Sequence, residues 1–309
     1  MQYTIDEEQF RILAAEIKQL KEDKRALIVA HFYQRPEIQD VADFVGDSLQ
    51  LSQIAAATEA QVIIFCGVHF MAESAAILAP EKIVILPEER AGCPMAEMVD
   101  AESLRQKKAE LPGCQVVCYV NSSAAVKAES DICCTSSNAV QIVKSLPPGE
   151  ILFVPDQNLG SYVAEKAGRK MHYWQGFCIT HHRLAREDIL RARRQYPRAE
   201  VIVHPECRKE VRDEADYIGS TAGIIKYAQN SSSQEFIVGT ECGILHQLHK
   251  LCPSKTFYLA SEELICPNMK ATTLSKVRDA LKNLAPRITV EKEISLKAKR
   301  ALDRMLAGS

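Results

Sequence analysis

Short runs of aliphatic and β-branched residues recur along the chain, and stretches with apolar residues at helical spacing separate them. Such short runs predict buried strands, whereas the helical spacing predicts amphipathic helices that cover a sheet. Regular alternation of strand and helix is typical of parallel sheets with helices on both faces. The pattern therefore predicts an α/β protein.

This alternation occurs three times. The sequences of segments 26–98, 115–184 and 200–269 can be aligned with one another. Each opens on an apolar strand that ends in polar groups: ALIVAHFYQ, QVVCYVNSS and EVIVHPECR. In parallel sheets, ligands bind beyond the carboxyl ends of the strands, which is where these polar groups lie. The repeat predicts three similar αβα three-layer domains, arranged around a pseudo-threefold axis with a central active-site cavity.

The same repeat suggests where the domains begin and end. We expect a first domain over 1–100 that includes an N-terminal helix, a second over 101–185 and a third over 186–272. The Lys-rich segment 273–309 lies outside the repeat. We expect it to form a helical tail that packs on the first domain.

One cysteine closes each repeat, and the three residues, Cys93, Cys178 and Cys266, are separated by 85 and 88 positions. A cubane 4Fe-4S cluster has a threefold axis through one of its irons, so three thiolates around that axis would bind the other three. The iron on the axis would stay open and could act as a Lewis acid. Three buried core cysteines remain an alternative, as does a zinc site, although structural zinc usually recruits a fourth protein ligand.

A hydroxyl-bearing motif, GDS, TSS or GST, opens a helix in each repeat. Its hydroxyl could simply cap the helix, or it could bind an anion together with the first backbone amides. Because all three motifs are expected at one cavity, we favour binding of phosphate or carboxylate. The residues concerned are Ser48, Ser136, Ser220 and Thr221.

Two strand ends also carry candidate acid and base groups. His31 and Tyr33 follow the first strand, and His204 and Glu206 occupy the corresponding place in the third repeat. In extended backbone an i, i+2 pair lies on one face, which suits paired proton-transfer groups. A histidine at a strand end can also be a purely structural hydrogen-bonding group.

Composition narrows the classes of function. Lys and Arg together number 38 against 40 Asp and Glu, so no strong attraction to nucleic acid or anionic membranes is expected. The acidic, amphipathic N-terminus is unlike a signal peptide, and no run of 18 apolar residues occurs. We therefore expect a soluble cytoplasmic monomer or homodimer whose cysteines are reduced.

The chain has 11 cysteines but no CxxC pair, so any metal site must be assembled from distant segments. Eight of them do not recur threefold, and we interpret these as buried core thiols. They are Cys66, Cys114, Cys118, Cys133, Cys134, Cys207, Cys242 and Cys252.

These motifs together resemble the quinolinate synthases of NAD biosynthesis over nearly the whole chain. The motifs that carry the resemblance are AHFYQ (30–34), GDS (46–48), VHFMAE (68–73), CPMAE (93–97), YVNSS (119–123), CTSSN (134–138), PDQNLG (155–160), GFC (176–178), HPEC (204–207), GST (219–221) and CPNMK (266–270). The resemblance implies three αβα domains around a 4Fe-4S cluster with three cysteine ligands and one open iron.

The resemblance further implies that iminoaspartate and dihydroxyacetone phosphate condense to quinolinate with loss of phosphate and water, and that an aspartate oxidase supplies the iminoaspartate. It assigns the cluster to Cys93, Cys178 and Cys266. Substrate binding falls to His31, Ser48, Tyr119, Asn121, Ser136, His204, Glu206, Ser220 and Thr221. The residues at the reacting centre would be Tyr33, Glu206, His204, His31 and Tyr119.

One departure from the family pattern limits what can be transferred. Some members carry a CxxCxxC run at the third ligand, whereas ASEELIC supplies only Cys266 here. A local disulfide or redox switch built on that run is therefore not expected.

Two other functions fit parts of the pattern. A cluster-dependent hydro-lyase acting on a hydroxy-acid would also use an open iron, and the hydroxyl motifs do not exclude it. A non-catalytic iron-sulfur sensor would need an exposed cluster and a partner surface, but it would not need Tyr33, Asn121 or Glu206.

Overall fold

The computed structural model describes residues 6–308 and contains three parallel four-stranded sheets. Within each sheet every pair of neighbouring strands is parallel. The first sheet consists of β1 (Ala26–His31), β2 (Phe44–Gly46), β3 (Val62–Cys66) and β4 (Ile83–Ile85). The second consists of β5 (Gln115–Tyr119), β6 (Ile132–Cys134), β7 (Ile151–Val154) and β8 (His172–Tyr173). The third consists of β9 (Glu200–Val203), β10 (Tyr217–Ile218), β11 (Glu235–Gly239) and β12 (Thr256–Leu259).

The three sheets share one topology. In each, the second strand along the chain lies on one edge, followed by the first, the third and the fourth: β2-β1-β3-β4, β6-β5-β7-β8 and β10-β9-β11-β12. The α/β class with three similar parallel sheets is thus confirmed. Below, each sheet and the helices between its strands are called the first, second and third units.

Helices connect the strands and flank the sheets. They are α1 (Glu7–Lys24), α2 (Pro36–Val41), α3 (Ser48–Ala57), α4 (His69–Leu78), α5 (Ala101–Glu110), α6 (Ala124–Ala128), α7 (Ala139–Ser145), α8 (Gln157–Ala167), α9 (Ile179–Arg183), α10 (Arg186–Gln195), α11 (Lys209–Arg212), α12 (Thr221–Asn230), α13 (Ile244–Leu251), α14 (Leu274–Asn283) and α15 (Lys292–Ala307). A short 3₁₀ helix spans Pro94–Glu97.

The central strands are apolar and largely buried. Every residue of β3 and of β7 is buried, as expected for strands of a parallel sheet that is covered on both faces. Apolar side chains from these strands and from the helices above and below form the core.

An aspartate just before the second strand of each unit fastens that strand to the first. Its carboxylate accepts the backbone N–H of a first-strand residue, and its own N–H donates to the carbonyl of the same residue. The pairs are Asp43 with Ile28, Asp131 with Val116, and Asp216 with Val201. The repeat therefore preserves a specific polar contact as well as hydrophobic periodicity.

A basic residue before the fourth strand of each unit also recurs. Its side chain donates to two carbonyls at the end of the helix that follows the second strand, which would otherwise lack intrahelical partners. These residues are Lys82, Arg169 and Lys255, which serve α3, α7 and α12 respectively. Two independent polar contacts thus follow the same repeat.

The helices outside the repeat pack in different places. Helix α1 lies against α14 and β1, and α14 also contacts β3, so both cover the first unit. Helix α15 packs on α6 and β6 of the second unit and on α4 of the first. The tail predicted for 273–309 therefore contacts two units, while the domain boundaries at 100, 185 and 272 stay predictions.

No helix within residues 6–308 combines the length and the apolar character that crossing a membrane requires.

The aspartate contact can be tested by Asp131→Ala. This substitution leaves the N–H of Val116, a fully buried residue, without its carboxylate acceptor. An unsatisfied buried donor costs about 1–3 kcal/mol, so we expect the free energy of unfolding in urea to fall by that amount. Asp303→Ala is the control, because it removes only an exposed ion pair with Lys299 and should change stability by less than about 0.5 kcal/mol. Equal effects of the two substitutions would contradict the role of the repeated aspartate.

Candidate active site

Side chains at the carboxyl ends of the strands in all three units line one cavity. The space measures about 740 Å³ with its mouth included. Of the residues predicted for the site, Ser220 alone is absent from the lining. Those that line it are His31, Tyr33, Ser48, Cys93, Tyr119, Asn121, Ser136, Cys178, His204, Glu206, Thr221 and Cys266.

The three repeated cysteines have similar local surroundings. Each begins a helical turn: Cys93 precedes the 3₁₀ helix, Cys178 precedes α9, and the carbonyl of Cys266 accepts the N–H of Lys270. In each turn the backbone amide three residues further on approaches the sulfur, and the donors are Ala96, His181 and Met269 respectively. Amide hydrogen bonds to sulfur stabilise a thiolate, which is the form that binds metals.

Without a cation these thiols are protonated. Burial raises the pKa of Cys93 to about 12, and it raises the pKa values of Cys178 and Cys266 above the usual thiol range. The other two sulfurs and Glu206 raise the pKa of Cys178 further, so the three sulfurs are close enough to affect one another electrostatically. A metal at this position would bind three thiolates and release their protons.

The charges of the lining also suit a metal centre. Asp47, Glu206 and Glu241 line the cavity, and no Lys or Arg of the described chain does. An anionic substrate would be repelled here unless a cation were also bound. Three soft sulfur donors are typical ligands of iron-sulfur clusters, so the residues present fit such a group.

A second combination of metal-ligand atoms overlaps with the three cysteines. Donor atoms of Cys178, His181 and Glu206 lie within 4.8 Å of one another. However, Nδ1 of His181 is 2.7 Å from Oε2 of Glu206, the distance of a charge-assisted hydrogen bond. We therefore interpret His181 and Glu206 as hydrogen-bonded to each other and Cys178 as the metal ligand of the three.

Two histidines present a fixed tautomer to the cavity. Nδ1 of His31 accepts the backbone N–H of Tyr33, and Nδ1 of His204 accepts that of Glu206. In the neutral ring the proton then resides on Nε2, and His204 directs Nε2 to the hydroxyl of Ser136 at 3.2 Å. The residue two positions after each histidine therefore does more than share a face of the strand with it. Its backbone N–H also fixes the tautomer of the imidazole ring.

Both rings are held neutral. Burial lowers the pKa of His31 to about 3, and it lowers the pKa of His204 to about 3. For His31 the neighbouring His204 adds to this effect. The two imidazoles therefore serve as neutral N–H donors at pH 7.

Glu206 is an ionised carboxylate with one unpartnered oxygen. Burial alone would raise its pKa, but His204, His181 and the hydroxyl of Tyr119 together lower it. Oε2 is bonded to His181, whereas Oε1 is buried and has no hydrogen-bond partner. Glu206 does not pair with the nearby Arg208, whose guanidinium binds Glu210 and the carbonyl of Leu184 instead.

The pKa of Asp156 is shifted in the opposite direction to that of Glu206. Burial, followed by the charge of Glu206, raises the pKa of Asp156 well above the usual carboxyl range. Its Oδ1 accepts the amides of Asn158 and Leu159 at the start of α8. Two buried carboxyls with pKa values moved in opposite directions are typical of sites for acid-base chemistry.

The hydroxyl of Tyr33 lies at the centre of a chain of hydrogen bonds. It is 3.1 Å from Oγ1 of Thr221 and 2.6 Å from Oγ1 of Thr240, which in turn is 2.8 Å from Nε2 of His181. Thr240 and His181 were not among the predicted site residues. Thr240 directly follows β11, so its place at a strand end was the signal that could have identified it.

The serines of the three hydroxyl motifs differ in what they do. Ser220 caps α12 by accepting the N–H of Gly223, and its part in substrate binding stays a prediction. Asp47, not Ser48, caps α3, and Asn138 occupies the cap position of α7. The residues Ser48 and Ser136 are thus not needed as caps, and both line the cavity.

Asn121 of the second unit contributes a side-chain amide to the cavity lining. Its Oδ1 is buried without a hydrogen-bond partner among the described residues. An unpartnered buried carbonyl of this kind indicates a ligand or solvent contact within the cavity.

Comparison with known proteins matches this arrangement to one family. The family model described as Quinolinate synthetase A protein matches residues 15–307. The chain belongs to the quinolinate synthetase A family. It is 60% identical over 296 residues to the quinolinate synthase of Desulforudis audaxviator, covering 96% of this chain and 98% of that protein. The quinolinate synthases of Methanoregula boonei and Methanosarcina barkeri are each 56% identical, with 96% of this chain covered.

The family membership confirms the resemblance inferred from the motifs and supports an enzyme of the quinolinate synthase kind. Such an enzyme acts on small molecules. The eight cysteines outside the repeat are absent from the cavity lining, and six of them are buried as predicted, whereas Cys114 and Cys242 are only partly buried.

The two neutral histidines predict an acid-sensitive fold. Their folded pKa lies below the ordinary value of 6.5, so the unfolded chain takes up protons first as pH falls. Stability is therefore complete above pH 6.5 and is lost as pH falls towards 3. Between pH 7 and pH 5 we expect each histidine to account for about 1–2 kcal/mol of lost unfolding free energy, measured in urea. In His204→Gln the fall in unfolding free energy between pH 7 and pH 5 should be smaller by about 1–2 kcal/mol. An unchanged pH dependence in both His204→Gln and His31→Gln would contradict the conclusion that these buried histidines are neutral.

Proposed function

We propose that the protein condenses iminoaspartate with dihydroxyacetone phosphate to give quinolinate, phosphate and water, and that it does so with a 4Fe-4S cluster bound by Cys93, Cys178 and Cys266. The observation that carries this proposal is that three cysteines, each with a backbone amide close to its sulfur, share a cavity with an unpartnered carboxylate oxygen. Family membership supports the choice of reaction.

Cys93, Cys178 and Cys266 would hold the cluster, and an iron without a protein ligand would polarise a substrate oxygen. Everything else must come from protein side chains. Two anionic substrates have to be oriented, at least one proton must leave a carbon atom, and hydroxyl groups must depart.

Neutral donors are well suited to orient the phosphate and the carboxylates. The lining offers hydroxyls of Ser48, Ser136 and Thr221, the side-chain amide of Asn121, and the Nε2–H groups of the two histidines. Hydrogen bonds to charged oxygens contribute about 1.5–3 kcal/mol each, so several of them can replace a cationic side chain. Ser220 contributes indirectly, because it caps the helix on which Thr221 stands.

Glu206 is the candidate general base. Oε1 is the unpartnered oxygen, so it can take a carbon-bound proton while the electron pair of the broken C–H bond enters an enolate. Its other oxygen stays bonded to Nδ1 of His181, which fixes the direction of the carboxylate.

Tyr33 and Tyr119 are the candidate acids. Burial and the charge of Glu206 raise the pKa values of both phenols well above 10, so each stays protonated at neutral pH. The hydroxyls of Thr221 and Thr240 hold the phenol of Tyr33 from two sides. A proton from Tyr33 can thus convert a departing hydroxyl into water.

Iminoaspartate is an imine and hydrolyses readily in water. A reaction that oxidises aspartate must therefore supply it close to the site of use, and an aspartate oxidase is the functional partner that we propose.

The cluster assignment is tested by purifying the protein without oxygen and supplying both substrates. We expect about four irons per chain, broad visible absorption and formation of quinolinate. Alanine at Cys93, Cys178 or Cys266 should remove the iron and the activity, whereas Cys252→Ala, which lies outside the cavity, should retain both. One zinc per chain without visible absorption would contradict the proposal, and a bound cluster without quinolinate would favour the hydro-lyase or the sensor.

The role of Glu206 is tested by Glu206→Gln. This substitution keeps an oxygen that can accept from His181 but removes the base, so kcat should fall by roughly 10²-fold or more while the iron content stays unchanged. Glu210→Gln is the matched control, because Glu210 is an exposed residue that pairs with Arg208, and it should turn over normally. Near-normal kcat in Glu206→Gln would remove this residue from the mechanism.

A further inference from the structure

A buried ion pair joins the third unit to the first beside the cavity. Glu241 lies two residues beyond the end of β11, and Lys270 lies four residues beyond Cys266. Their exposed fractions are 0% and 5%, and Nζ of Lys270 lies 2.8 Å from Oε1 and 2.9 Å from Oε2 of the carboxylate. Neither residue belongs to the three-cysteine set or to the acid and base groups described above.

The carboxylate of Glu241 holds the backbone around the third cysteine. Oε1 accepts the amide N–H of Cys266 at 3.0 Å, and Oε2 accepts the N–H of Gly243 at 2.7 Å. The position of Cys266 is therefore set by a side chain from another loop, in addition to its own turn.

The ammonium of Lys270 holds the loop of Tyr33. Nζ donates to the carbonyl of Tyr33 at 2.5 Å, and the carbonyl of Lys270 accepts from Nε of Arg35 at 2.7 Å. Gly243 packs so closely that a Cβ there would lie 2.7 Å from the Tyr33 backbone and 2.8 Å from Nζ of Lys270. A side chain at position 243 would therefore clash with the Tyr33 backbone and with Lys270.

Stability alone does not explain this pair. Burying two charges costs about as much as their attraction returns, and well-packed apolar residues in such positions are often equally or more stable. An apolar pair could not accept the backbone N–H of Cys266 or donate to the carbonyl of Tyr33, whereas Glu241 and Lys270 do both. The contacts therefore favour a positioning role.

We propose that Glu241 and Lys270 are positioning residues that fix Cys266, the third cluster ligand, relative to the catalytic loop of Tyr33. The proposal rests on the proposed function for the identity of the cluster. The hydrogen bonds themselves require no cluster, so part of the test is independent of it. When the pair is broken, the third ligand moves more freely and the cluster is lost more readily.

The main experiment measures iron release from the anaerobic holoprotein to a ferrous chelator. Glu241→Gln and Lys270→Gln each leave a buried charge unpaired, and each should release iron at least tenfold faster than the unaltered protein. The double variant Glu241→Gln with Lys270→Gln restores a neutral hydrogen-bonded pair and should return to within about threefold of the original rate. Asp40→Asn is the matched control, because it removes the charge that α2 presents to His246 of α13 between the same two units, away from the cysteines, and it should leave iron release unchanged.

A second readout uses the cluster-free protein and hydrogen exchange. In Glu241→Ala, which removes both acceptor oxygens, the amides of Cys266 and Gly243 should exchange at least tenfold faster, whereas the amide of Ala96 beside Cys93 should keep its rate. Unchanged iron release in both single variants, or equal acceleration by Asp40→Asn, would overturn the proposal, and so would unchanged exchange at Cys266. If instead the unaltered protein binds no iron, the proposed function fails, and the exchange result still decides whether the pair positions Cys266.

Discussion

The site depends on one constraint: side chains of the three sheets line a common cavity at the carboxyl ends of their strands. At these ends the regular ladder stops, and the backbone turns towards the next helix, so a side chain can leave the sheet without disrupting it. His31, Tyr119 and His204 all stand at such ends. Two sets of polar contacts hold these strand ends in place. Aspartates join the second strand of each unit to the first, and basic residues bind the carbonyls at helix ends.

A second constraint follows from the charges that are gathered there. Three thiols and three carboxylates line a cavity to which the described chain contributes no Lys or Arg. Left without a cation, the thiols keep their protons because burial raises their pKa values. The cavity is therefore electrostatically incomplete as protein alone, and a cationic centre bound by the sulfurs would complete it. Lys270, a buried cation beside the site, pairs with Glu241, which leaves the carboxylates of Asp47 and Glu206 in the lining.

The fold was largely predictable from the sequence because strand and helix periodicities are local, and the repeat shows them three times. The three cysteines were predictable for the same reason, since their spacing follows the repeat. The residues that were missed are those that depend on contacts between units. Thr240 matters because Tyr33 of the first unit reaches it across 207 positions of sequence, and no local pattern encodes such a contact. Ser220 shows the converse: its motif repeats, yet the hydroxyl is used by its own helix.

The places where the three repeats differ are informative about chemistry. The cluster that we propose has a threefold axis, and its ligand position is cysteine in all three repeats. The substrates that we propose have no such symmetry, and the strand-end positions differ accordingly, with His31, Tyr119 and His204 in equivalent places. Two residues further on the side chains are Tyr33, Asn121 and Glu206, which offer an acid, an amide and a base. A repeated fold that binds a symmetric cofactor and an asymmetric substrate should keep the same residue at the cofactor-ligand positions and vary the residues that face the substrate. This chain has cysteine at all three ligand positions and different side chains at the strand ends.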